Sequence, residues 1–292
     1  FNKTFFKLIN TSNVTYDQIR KELFEFPRYD EKYAEEFKKK INMIKTKYHY
    51  VLSIGDISIN IFFYADKDED HFFRIIRIIF IFLKTFGVDQ NKNLSIYNTY
   101  NLRFLLVDVP RQLDKINSIN EDDFHNLSLK GYFNNSSGVH IMSKKELVVT
   151  RKSGLNGLLI HELIHMLGLD FCFNLKDNNM VNIDNWEKDW IKNNNIILKN
   201  SNIYSFIESI CNSNSSYFVS IYNAIVLANK SNNIEKVSKY FKYFFYLETI
   251  YSYIMAVKVL NYFNYDTYDS FFNDNNDRRY YQDAYVFEYV IM

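Results

Sequence analysis

Leu158-Leu159-Ile160-His161-Glu162-Leu163-Ile164-His165 sets three ionisable side chains inside an otherwise apolar run. The run starts after Ser153-Gly154, continues through Met166-Leu167 and stops at Gly168, so it reads as a helix from Leu155 to about Leu167 closed by a C-terminal glycine. On a helix, residues four apart lie one above the other. His161 and His165 therefore present both imidazoles to one point, a two-nitrogen clamp for a metal ion. Glu162, one position along, is placed to take a proton from a water activated by that ion without being a ligand itself. Zinc suits this pattern because it lowers the pKa of a coordinated water from ~15.7 to ~7. Histidine is rare in the chain, six in all, so two at helical spacing within an apolar run carry weight. Burying three such groups is costly unless they are paired or bound to a metal.

Upstream, Thr15-x-x-Gln18 is a capping box leading into a helix with Ile19, Leu23 and Phe24 at helical spacing. Asp30 caps a second, highly charged helix through about Lys45, with Tyr33, Phe37, Ile41 and Ile44 along one side. From His49 the period changes to two. Tyr50 to Ile54, Gly55-Asp56 and Ile57 to Phe62 read as a β-hairpin. The next helix starts among Asp68, Glu69 and Asp70 and stops at Gly87. Leu102 to Val109, ended by Pro110, has the length and apolarity of a central strand. Gly138 to Met142 suits a short edge strand just before the His161 helix.

Downstream, an irregular segment from Leu169 to Ile183 leads into helices expected at Asp184 to Lys192, Asn202 to Cys211, Tyr217 to Lys230 and Ile234 to about Tyr262, the last with room for one break. The tail from Asp266 carries no assignment. The class is α+β, with two subdomains: residues 1–168 hold the sheet and end in the His161 helix, and residues 169–292 are helical.

The overall charge excludes one family of partners. Lys and Arg number 35 against 34 Asp and Glu, a net charge of +1, so no global field draws nucleic acid or an anionic membrane. The longest apolar stretch, Phe72 to Val88, is interrupted by Arg74, Arg77 and Lys84, which excludes a transmembrane span there. Two cysteines, Cys172 and Cys211, could form one bridge at most, so disulfides do not define the scaffold. No Gly-rich phosphate loop and no Ser or Cys nucleophile pattern occurs. The chain starts at Phe1 rather than Met, which reads as a fragment or processed product and leaves the compartment open among secreted, virion-associated and host-cytoplasmic settings.

Leu158 to His165 resembles the active-site helix of the zincin superfamily of zinc metallopeptidases, and looks much like that helix in clostridial neurotoxin light chains. The likeness extends to the order hairpin, helix, strand, edge strand and active-site helix. It implies a zincin-like fold, a small mixed sheet above a helical lower subdomain, with a peptide substrate pairing along the edge strand at Gly138 to Met142. It implies Zn2+ as cofactor, His161 and His165 as ligands and Glu162 as general base of a peptide-bond hydrolase.

The third ligand stays open between subtypes. Metzincins place a third His three residues after the glycine; Gly168 is present here, but Phe171 stands at that position and cannot bind zinc. Met180, where a Met-turn would fall, reads as ordinary packing. Gluzincins take a Glu from a later helix. Glu208, an isolated acid among Phe206, Ile207 and Ile210, is the first candidate; Glu187, within the capping box that starts at Asp184, and Asp170 are the others. A Tyr, His or Arg transition-state donor is also implied. Twenty-four tyrosines offer too many choices, and His140 reads first as a structural histidine. The alternative to an endopeptidase is a zincin-fold structural or binding protein without turnover; oligomeric state is open.

Overall fold

The computed structural model describes residues 5–23, 38–66, 69–87, 99–107, 138–141, 145–150, 152, 155–169, 173–174, 179–180, 206–262, 265–267 and 270. In chain order these form β1 (Phe6–Asn13), α1 (Tyr16–Leu23), β2 (Thr46–Ile54), β3 (Ile57–Tyr64), α2 (Glu69–Thr85), β4 (Thr99–Leu105), β5 (Gly138–Ile141), β6 (Glu146–Val149), α3 (Leu155–Met166), β7 (Phe173–Asn174), β8 (Asn179–Met180), α4 (Phe206–Lys230), a 3-10 turn (Ile234–Lys236) and α5 (Val237–Tyr262). The protein is mixed α+β.

Six strands make one mixed sheet in the order β1-β2-β3-β4-β6-β5. The first three are antiparallel, β4 and β6 run parallel to β3, and β5 returns antiparallel to β6 at the margin. The β2–β3 hairpin closes through Gly55-Asp56, where Gly55 at φ +57° takes the left-handed conformation that a two-residue turn requires. Side chains of odd-numbered β3 residues face α2. Phe63 stacks on Phe72 of α2 at 4.2 Å between ring centroids and on Phe104 of β4 at 5.2 Å. Arg74, Arg77 and Lys84 lie on the exposed side of α2, opposite Phe72, Ile75, Ile76, Ile79 and Phe82.

The opposite face of the sheet is covered by α1 and the helical residues 38–43, with Ile19, Leu23, Ile41 and Ile44 packed on Tyr64, Leu105 and Val148. α1 starts with a reciprocal capping box: the Thr15 N–H donates to Gln18 Oε1 at 2.8 Å and the Gln18 N–H to Thr15 Oγ1 at 3.3 Å. Beneath α1 a charged network crosses four strands. Glu22 accepts from Lys47 Nζ at 2.6 Å, from Arg103 Nη1 at 3.1 Å and from the Tyr64 hydroxyl, while Arg103 Nε donates to Glu146. Burial alone would raise the Glu22 carboxyl, but the hydrogen bonds from Lys47 and Tyr64 and the charges of Lys47 and Arg103 outweigh it and hold the carboxyl below its ordinary value. Burial and the bond to Glu22 together push the Tyr64 hydroxyl upward.

Several sequence expectations need correction. β1 was not expected, because Phe6-Lys7-Leu8-Ile9-Asn10-Thr11-Ser12-Asn13 shows no apolar alternation; it is an exposed edge whose strand character comes from pairing with β2 across a bulge between Leu8 and Asn10. β6 was not expected either, being four residues long, yet it lies inside the sheet and is buried on both faces. β2 begins at Thr46 rather than near His49. β4 begins at Thr99 and ends at Leu105, earlier than Leu102 to Val109, and it is flanked on both sides as a central strand must be. The helices expected at Asn202 to Cys211 and Tyr217 to Lys230 are one helix, α4; Asn212 to Ser216 continue it, with Ser215 Oγ returning to the Asn212 carbonyl at 2.8 Å instead of competing for a turn. α5 runs unbroken, and Leu169 to Ile183 contains the small β7–β8 ladder. The helix at Asp184 to Lys192, most of that at Asp30 to Lys45, and the tail from 271 lie outside the described residues.

The described residues divide into two units. One runs from β1 to Leu169. The other comprises β7, β8, α4, the 3-10 turn and α5. No described helix is long and apolar enough to cross a membrane.

Candidate metal centre

α3 carries the site. It ends in a Schellman arrangement: the Leu169 N–H donates to the Ile164 carbonyl at 2.9 Å, the Gly168 N–H to the His165 carbonyl at 3.0 Å, and Gly168 sits at φ +63°. Leu159, Ile160, Leu163 and Ile164 are buried, and α3 packs on β5, β6 and α2. The helix lacks a polar stripe, so its ionisable residues are drawn into the same packing. His161 is 5% exposed and Glu162 8% exposed, while His165 is half-buried.

The two imidazoles converge. His161 Nε2 and His165 Nε2 are 3.1 Å apart, with ring centroids at 4.8 Å and planes at 72°. A tetrahedral zinc held at ~2.0–2.1 Å by two ring nitrogens sets those nitrogens about 3.3 Å apart. The observed separation is close to that value, and histidine ring nitrogens are common zinc ligands.

Glu162 faces the margin of the sheet. Gly138, the first residue of β5, lies directly against it: a Cβ built on Gly138 would stand 3.0 Å from Glu162 Cγ, 3.0 Å from Glu162 Oε1 and 3.0 Å from Leu158 Cδ1. No reading of the sequence singled out Gly138 for itself. The available signal was a glycine opening a strand in a chain with only seven glycines, a position that marks close approach of another group.

His161, Glu162 and His165 are thus brought together on one helix, with β5 beside them. His140 lies on β5 opposite Leu147, and Met180 pairs with Phe173 in the β7–β8 ladder. Glu208 is on α4, in the second unit, and its side chain is outside the described residues, as are Asp170, Phe171 and Glu187. Among the described residues no group of three or more His, Cys, Asp or Glu side chains is arranged to hold a metal ion. Cys211 is a buried thiol in α4. The chain matches no described protein family, no curated protein and no solved structure.

Proposed function

We propose that this chain is a zinc-dependent endopeptidase with a zincin-like arrangement. His161 and His165 supply two zinc ligands, and a third donor comes from residues after α3, Glu208 first, with Glu187 and Asp170 as the other candidates. The observation that carries the proposal is the 3.1 Å approach of the two Nε2 atoms with the Glu162 carboxyl one residue away on the same buried helix.

Zinc, when bound, polarises the scissile carbonyl and makes hydroxide available near neutral pH. Glu162 accepts the proton of the attacking water on its carboxylate and passes it to the leaving amine. Its near-complete burial keeps bulk water from competing for that proton. β5 is the last strand of the sheet, and among the described residues no strand pairs with its outer side. An extended peptide adds to such an edge through backbone hydrogen bonds, which favours an unfolded protein segment or peptide as substrate.

The test is zinc analysis of protein purified without added metal, joined to cleavage of a peptide library by wild type and Glu162→Gln. Near-stoichiometric zinc in both, with cleavage reduced at least ~100-fold in Glu162→Gln, is expected. Glu208→Ala should lose the zinc and Glu187→Ala keep it; the reverse result moves the third-ligand role. The second reading, a zincin-fold binding module, is kept by one observation: the described residues offer two donors at the centre and not three. Zinc without cleavage would select it, and absence of both zinc and cleavage would remove the metal centre altogether.

A further inference from the structure

We propose that Gly138 is a positioning residue for Glu162: the absence of a side chain at the start of β5 is what lets the Glu162 carboxyl lie against the sheet margin, beside the strand on which substrate would pair. This rests on the peptidase reading above and adds a residue to it.

The register makes the case. Phe63 of β3 pairs with Phe104 of β4, Phe104 with Val149 of β6, and Val149 with Gly138 of β5. Register partners share a face, so this is one row of side chains crossing the sheet beneath α2 and α3. Its members shrink from two phenylalanines to a valine to nothing, and Glu162 occupies the space that opens at the end. A Cβ at Gly138 would sit 3.0 Å from Glu162 Cγ, tighter than most real Cβ contacts, so the neighbour must give by a few tenths of an ångström. The Leu158 Cδ1 contact at the same distance could be relieved by swinging the tip of a half-buried side chain. The Cγ contact is stiffer, because Cγ is one bond from the Glu162 Cβ; relief by a few tenths of an ångström comes from turning the Glu162 side chain or from shifting β5. The first moves the carboxyl relative to the imidazoles of His161 and His165, and the second moves the strand on which substrate would pair relative to the carboxyl.

The variant Gly138→Ala separates this role from a structural one. Expected are unchanged zinc content, KM within about twofold of wild type and kcat lower by ~10-fold, less than the ~100-fold that a full ångström of misplacement of a reacting group brings. Equal kcat in Gly138→Ala and wild type overturns the proposal, as does loss of zinc in proportion to kcat. A second measurement does not use activity. In urea denaturation, Gly138→Ala should lower the stability of wild type and have a smaller effect in a Glu162→Ala background, where the opposing Cγ is gone. Equal effects in both backgrounds overturn the contact. A wild-type protein that binds no zinc and cleaves nothing defeats the peptidase reading and this role together, whereas an active wild type with an equally active Gly138→Ala defeats the role alone.

Discussion

α3 and α5 are both apolar on every side, and they sit in opposite environments. In α3 the apolar residues are buried against β5, β6 and α2, and the ionisable residues His161 and Glu162 are buried with them. In α5 many of the apolar residues face solvent: Tyr253 is 71% exposed, Tyr246 63% and Tyr251 59%, and Lys239, Lys242 and Lys258 are exposed beside them. Apolarity around a helix therefore does not by itself say that the helix is central. What distinguishes α3 is that His161 and Glu162 are buried within its apolar packing, a position that is costly for polar groups unless they are paired or bound.

The largest expected break in this comparison is in packing. Leu163→Ala removes a fully buried side chain from α3 and should cost about 3 kcal/mol in denaturant unfolding. Tyr253→Ala in α5 should change stability by less than ~0.5 kcal/mol. A large loss in the second variant would mean that α5 is covered in solution.

Two carboxyls sharpen the contrast through pH. Glu22 is held below its ordinary 4.5, so its contribution to stability is complete above that value and is lost as pH falls through the folded-state value. Glu22→Gln should be less stable than wild type at neutral pH, by about 2 kcal/mol, and the difference should shrink as pH falls below 4.5. Glu248 of α5 is shifted the other way: burial raises its carboxyl, offset in part by a hydrogen bond to Ser216. Its folded form prefers the proton, so it subtracts stability as pH rises past 4.5, and Glu248→Gln should remove that loss. Unfolding midpoints of both variants across pH 3 to 7 check the pair of signs.

The smallest expected effect lies within α3 itself. Nothing stands within 4 Å of a Cβ built on Gly157, and its backbone conformation is one any residue adopts. Gly157→Ala should stabilise the protein by about 0.5–1 kcal/mol, the opposite sign from the same substitution at Gly138. Thermal melts of the two variants side by side would show it.

What could be read from the sequence was what local spacing determines. Two histidines one turn apart, a Thr15–Gln18 capping box, a Gly-Asp hairpin turn and a terminating Gly168 each draw their meaning from neighbours within five residues, and each is found in the structure. What escaped depends on distant partners. β1 is a strand because β2 lies beside it, and β6 because β4 and β5 flank it. The Glu22, Tyr64, Arg103 and Glu146 network joins residues from α1 and three strands, and no spacing announces it. The approach of Gly138 to Glu162 is likewise created by the register of β5 on β6 and the seating of α3 above it.

The stop at Gly168 has an electrostatic consequence. Peptide dipoles along a helix add to a partial negative charge at its last turn, and His165 stands in that turn. By ending the helix at Gly168, the chain leaves His165 in the turn that carries this partial charge. Positive charge beside His165 is favoured by ~0.3–1 kcal/mol before any ligand bond forms, so the backbone itself tilts this helix toward a cation.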